Sequence, residues 1–231
     1  GAWFGTLAAL AAGVMLWELA RMLAPERPVA ALVAGGAALA GVLAARAIGA
    51  PGAVALALAA PAVLGAVLVG RGGRVLFVPF ALAITVAAWG LASFREDYGM
   101  VWLVWLMLVV IATDVFGYFA GRHFGGPKLW PAVTPSKTWS GTVAGWVASG
   151  LIGAVFLSFT DAGRDLPWIS VALSMASQAG DIAESALKRR CGVKDSSHLL
   201  PGHGGLFDRF DGVLGAALFM LLVAQIVYVP Q

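Results

Sequence analysis

Apolar residues run through this chain in long blocks rather than in alternation. Eight blocks can be traced, at about 3–23, 29–45, 52–70, 75–94, 99–121, 140–160, 167–190 and 212–229. A helix needs about 20 apolar residues to cross a bilayer, and the blocks approach that length. The breaks between them carry Pro, Gly or charge: Pro25 to Pro28, Arg46 to Gly52, Arg71 to Arg74, and Arg95 to Asp97. Two connections are longer, at 122–139 and 191–211. The pattern predicts an all-α integral membrane protein, a polytopic bundle of about eight transmembrane helices. The second and third blocks are rich in Ala and Gly and read as packing helices, since small residues let backbones approach closely.

Composition agrees. Of 231 residues, 60% are apolar and 12% charged, against about 25% charged in a typical soluble domain. Mean hydropathy is +0.88. Such a chain has too few charges to cover a soluble globule and is too hydrophobic for disorder. The single cysteine, Cys191, rules out an intrachain disulfide. The chain starts at Gly1, which leads us to expect a start trimmed by up to a whole helix.

The positions of the charges say more than their number. Of the 15 Lys and Arg residues, 12 fall in the first, third, fifth and seventh connections; only Arg46, Arg95 and Arg164 fall in the others. That alternation is the positive-inside pattern for eight spans. It puts both long connections on the cytoplasmic side. Trp3, Trp102, Trp130, Trp139 and Trp168 lie near span ends, where either an interfacial belt or ordinary packing accounts for them.

Polar groups deep in apolar spans are costly and usually face a cavity or a partner. Asp114 precedes Arg122 by eight residues, about 12 Å of helix, and Tyr118 shares its face. In the seventh span Ser174, Ser177, Gln178, Asp181, Glu184, Ser185 and Lys188 recur at steps of three and four, making one polar stripe. Asp114 and Asp181 therefore reach similar depths below one surface, which suggests an acidic, water-filled cavity; a bland pairing with Lys or Arg is the alternative. Glu18, at the end of the first span, is expected to be interfacial.

The run from Gly180 to Gly212 concentrates the chemistry: GDIAESALKRRCGVKDSSHLLPGHGGLFDRFDG. Its carboxylates suit Mg²⁺. Its cations suit phosphate oxygens. Gly202, Gly204 and Gly205 around His203 could form a backbone anion nest. Neither a zinc pattern nor a P-loop is present. The implied chemistry is metal-assisted phosphoryl or nucleotidyl transfer at a membrane surface. Other readings stay open: Lys188–Arg190 as a membrane anchor, His203 as a loop hydrogen bonder, and Asp208–Asp211 as a helix cap.

Within this run, Ser185-x-Leu187-Lys188-Arg189, Lys194-Asp195, Pro201-x-His203-Gly204-Gly205 and Asp208-Arg209-x-Asp211 together resemble the signature of the phosphatidate cytidylyltransferases, the CDP-diacylglycerol synthases. Asp114, Tyr118, Gly121 and Arg122, and the segment TPSKTWSGTVAG at 134–145, are similar to earlier parts of that family; Ser140 stands where its pattern has Glu. The resemblance covers about 111–217. It implies Mg²⁺-dependent condensation of CTP with phosphatidate, with no strong general base required because the lipid phosphate is already an anionic nucleophile. A second metal or a monovalent ion is left open.

The site residues expected from this resemblance and from the residue chemistry are as follows. Asp181 and Asp208 are the first-choice metal ligands, with Asp195 and Asp211 second. Lys137, Lys188, Arg189, Lys194 and Arg209 hold phosphates. His203, Gly204 and Gly205 shape a nucleotide loop. Asp114, Tyr118, Arg122, Ser136, Thr138, Glu184 and Ser185 line or support the substrate cavity. Residues 1–100 form packing or dimerisation helices, and 101–231 the catalytic region. Expected partners are CTP, phosphatidate and membrane lipids, not nucleic acid; the Gly141/Gly145 pair could support a homodimer, with packing inside the chain as its other use. The expected location is a prokaryotic-type cell membrane with a cytoplasmic site. Competing readings are an ion-coupled transporter using Asp114 and Asp181, a lipid kinase, and an ether-lipid cytidylyltransferase.

Overall fold

A computed structural model describes residues 2–224. Among them are eight helices: α1 (Ala2–Leu23), α2 (Pro28–Ala47), α3 (Pro51–Val69), α4 (Arg74–Tyr98), α5 (Met100–Phe124), α6 (Trp139–Leu157), α7 (Leu166–Arg190) and α8 (Phe207–Val223). One antiparallel hairpin joins α5 to α6, formed by β1 (Lys128–Trp130) and β2 (Thr134–Thr138). The protein is an all-α polytopic membrane protein, and α1 to α6 are each long and apolar enough to cross a bilayer. The polar stripe lowers the hydropathy of α7. The last part of the expected eighth span, 225–229, lies outside the described residues.

Two details depart from the sequence reading. The 122–139 connection contains the hairpin rather than open loop. Helix α8 begins at Phe207, so Asp208 and Asp211 lie in its first turns and not in the preceding connection. Local chemistry explains most other boundaries. Pro28 and Pro51 each open a helix, where a missing N–H costs nothing. Thr138 caps α6, its hydroxyl accepting from Gly141 N at 3.2 Å.

The described residues form two compact units, 2–96 with 187–210, and 97–186 with 211–224. In the first, α1 packs on α2 and α2 on α3. Close approach depends on glycine: a Cβ on Gly13 would lie 3.1 Å from the Gly35 carbonyl oxygen. Pro61, inside α3, cannot donate to the Ala57 carbonyl. Gly41 of α2 sits against that carbonyl and the Pro61 ring. Arg46 of α2 pairs with Glu96 of α4 at 2.7 Å.

In the second unit α5 packs along α6, and a buried hydroxyl network runs through it. Thr113 Oγ1 is 2.7 Å from Ser174 Oγ and 3.0 Å from Ser149 Oγ. Trp105 Nε1 donates to Ser170 Oγ, and Trp146 Nε1 to Gln178 Oε1, each at 3.0 Å. Such bonds join helices where apolar attraction is weak. Gly141 and Gly145 face the Gly117 and Thr113 carbonyls of α5, so their spacing serves packing within the chain. Trp3, Trp130, Trp139 and Trp168 are exposed, whereas Trp102 is buried edge-on against Trp105 and belongs to the core.

These contacts yield a first expectation. In Gly141→Ala the new methyl meets the Gly117 backbone, which cannot rotate away as a side chain would. Unfolding in detergent should show a loss of about 1–3 kcal/mol. Gly36→Ala, with open space at that position, should leave stability within about 0.5 kcal/mol of the parent.

Candidate functional site

The chemistry-bearing residues fall into one cluster in each unit. In the second unit, α5, the hairpin and α6 enclose a cavity of about 440 Å³. Asp114, Tyr118 and Arg122 line it from α5, Lys128, Ser136, Lys137 and Thr138 from the hairpin, and Gln178 from α7. The hairpin register, with Lys128 opposite Thr138, sets these side chains. Glycine shapes the wall, because a Cβ on Gly121 would lie 2.8 Å from Thr138 Oγ1.

Lys137 forms an ion pair with Asp181 of α7. Both side chains are about a quarter exposed, so the pair remains open to solvent or ligand. Ser185 Oγ approaches Asp181 Oδ1 at 3.4 Å. Arg122 Nη1 donates to Tyr118 Oη at 2.8 Å, fixing the guanidinium by the cavity. Ser140, at the position where the resemblance would have Glu, hydrogen-bonds the Gly125 carbonyl and the Thr138 hydroxyl. Glu184 is buried. Asp211 Oδ1 accepts from Gly212 N at 2.7 Å.

The first unit holds the segment between α7 and α8. Its centre is Asp208, whose Oδ1 accepts from Lys188 Nζ at 2.6 Å. Oδ2 accepts from Ser196 N and Oγ, both at 2.9 Å, and from Gly205 N at 2.7 Å. One carboxylate thus ties the end of α7 and both ends of 196–205 to the start of α8. Burial by itself would raise its pKa. Lys188 and the Gly205 and Ser196 amides outweigh that and lower the carboxyl to about 2.

A second carboxylate holds the same segment. Glu18 of α1 is fully buried. Its Oε1 accepts from Ser197 Oγ at 2.6 Å and Leu206 N at 2.9 Å, and its Oε2 from Phe207 N at 2.7 Å. The expectation that Glu18 is interfacial is therefore corrected: it caps α8 from inside the unit. A carboxylate in an apolar span was the available signal, but its partners lie about 180 positions away.

These two carboxylates also explain the glycines. At Gly204, with φ +83°, an added Cβ would lie 2.7 Å from Asp208 Oδ2. At Gly205 it would collide with Ser196 Oγ and Glu18. The protein's own anions thus demand both glycines. Arg209 donates from Nε and Nη2 to the His203 carbonyl at 3.0 and 2.7 Å. His203 Nδ1 lies 3.1 Å from the Pro201 carbonyl oxygen. Arg189, Lys194, Asp195 and His203 are exposed.

The two clusters differ in how they suit a divalent cation. No group of three His, Cys, Asp or Glu side chains converges among the described residues, but Mg²⁺ is commonly held by one or two carboxylates with substrate phosphates completing the shell. Asp181, partly exposed and with one oxygen only weakly engaged, fits that role. Asp208 has donors on both oxygens, so a cation there would have to displace the Lys188 ammonium from Oδ1.

Comparison with known proteins adds a lineage. A model of the cytidylyltransferase family matches residues 1–227. A phosphatidate cytidylyltransferase of Brucella abortus biovar 1 (strain 9-941) is 45% identical over 138 residues, 59% of this chain and 51% of its own length. Those of Staphylococcus saprophyticus and Bacillus subtilis (strain 168) are 42% and 38% identical over 133 and 130 residues, 55% and 54% of this chain and 51% and 48% of their own. The chain spans about half the length of the curated relatives it matches.

The Asp208 anchor has a pH signature. An unfolded Asp titrates near about 3.9, so a folded value of about 2 gives stability that is complete above that range and is lost as pH falls toward 2. Exchange of the 196–208 amides, corrected for intrinsic rates, should stay slow from pH 7 to about 4 and accelerate below. In Lys188→Met, burial is left without its strongest opponent, the folded carboxyl value rises toward the unfolded one, and the acceleration below pH 4 should shrink. An identical profile in the variant would contradict the Lys188 assignment.

Proposed function

The chain belongs to the cytidylyltransferase family, and on that premise we propose that it condenses CTP with phosphatidate to form CDP-diacylglycerol and pyrophosphate. The observation that carries the reading is the cavity of the second unit, where Arg122, Lys128 and Lys137 gather with the hydroxyls of Ser136 and Thr138. That lining suits polyphosphate. The names of the Brucella, Staphylococcus and Bacillus relatives supply the substrates.

A phosphatidate oxygen attacks the α-phosphorus of CTP. The new P–O bond forms as the bond from that phosphorus to the bridging β-oxygen breaks, and pyrophosphate leaves with that electron pair. No proton need be removed from an ionised phosphate, so the main obstacle is repulsion between two polyanions. Lys137, Arg122 and Lys128 are assigned to phosphate oxygens in the cavity, where fixed cations offset the developing charge. Lys137 is held ready by Asp181. Thr138 and Ser136 supply neutral donors. Arg189, Lys194 and Arg209 are further candidates for phosphate contacts in the other unit, and His203 for the nucleotide.

We assign Mg²⁺ to Asp181 in the second unit, with Asp211 there as second choice; in the first unit Asp208, through its Lys188-bound oxygen, is a separate first-choice ligand and Asp195 a second. When bound, such an ion neutralises phosphate charge and aids departure of pyrophosphate. The charge asymmetry of the connections supports a cytoplasm-facing site.

The test is turnover by the purified full chain with CTP, phosphatidate and MgCl₂. Pyrophosphate and CDP-lipid should appear together, and ATP should not yield ADP. Asp181→Ala and Lys137→Ala should each lower kcat by roughly 10²–10³ while remaining folded by circular dichroism. Formation of ADP with ATP, or near-parental turnover in both variants, would refute the assignment.

A further inference from the structure

Glu18 lies five residues before the end of α1 and about 180 positions from its partners. It is fully buried, yet all three of its donors come from the segment that also carries Asp208. Two of them, Leu206 N and Phe207 N, are amides at the start of α8, which have no acceptor within the helix. The positive end of the helix dipole lies there as well. The third donor is the Ser197 hydroxyl, next to Ser196, which Asp208 itself holds. Gly205 threads between the two anions where no side chain fits.

We infer that Glu18 is a positioning residue for the reaction. It holds 197–207 from the α1 side, and thereby keeps Asp208, at the start of α8, on Lys188 at the end of α7. The inference rests on the proposed function for its catalytic meaning, and on the hydrogen bonds for its structural one. Without Glu18 the Leu206 and Phe207 amides lose their acceptor, and the segment keeps only the Asp208 bonds near its ends and the Arg209 bonds to the His203 carbonyl.

Glu18→Gln preserves size but turns a carboxylate oxygen into an N–H₂ that faces donors. Hydrogen bonds to charged groups are the stronger class, so amide exchange over 196–208 should rise roughly tenfold to a hundredfold, while peptides of α2 and α3 exchange as before. The value of kcat should fall by a similar factor, with a smaller change in KM for CTP. Glu18→Asp restores the charge on a shorter arm and should recover part of both losses. Ser197→Ala, which removes one donor and leaves both amides paired, should have the smallest effect. Unchanged exchange over 196–208 in Glu18→Gln would overturn the inference. So would a uniform rise that includes α2 and α3, since that is the mark of general packing. A parent chain that makes no pyrophosphate refutes the proposed reaction instead, and the exchange data still decide whether Glu18 positions the segment.

Discussion

A buried carboxylate must find donors, and the segment between α7 and α8 is organised around two that do. Glu18 and Asp208 together accept from Lys188, two serine hydroxyls and four backbone amides. The stretch 191–206 has almost no regular structure of its own. Most of it is exposed, but where it turns inward, at Ser196 and Gly205, its polar groups need partners that the loop does not itself supply. Anions supplied from α1 and from the first turn of α8 do it instead, and the cost of burying each charge is offset by the donors it collects.

The same logic runs with opposite emphasis in the second unit. There Lys137 and Asp181 pair while still partly exposed, and the cavity beside them is lined by cationic and hydroxyl side chains. A charge pair open to solvent can exchange its partner for a phosphate or a cation at modest cost. A pair as enclosed as Lys188 and Asp208, 12% and 6% exposed, cannot do so as readily. One cluster is therefore suited to exchange ligands, and the other to hold a shape.

Glycine connects packing to these sites. Gly141 and Gly145 let α6 lie against the backbone of α5, which brings the hairpin and its Lys137 to the cavity. Gly204 and Gly205 make room for the Asp208 and Glu18 carboxylates. A glycine-rich turn beside a histidine reads from the sequence as an anion nest.

The block pattern of apolar residues determined the all-α membrane bundle and the helix positions, because spanning a bilayer imposes length and composition on each segment separately. The polar stripe of α7 and the clustered charges of 180–212 marked the chemistry for the same reason: groups that are costly in lipid stand out locally. Tertiary structure alone decided the partners. Nothing in the spacing of Glu18 points to Leu206 and Phe207, or of Lys137 to Asp181, since hydrogen bonds and ion pairs form between residues that folding brings together. The hairpin at 128–138 and the early start of α8 were decided in the same way, by cross-strand bonds and by Asp208 and Glu18 capping a helix that apolar content alone would begin at 212.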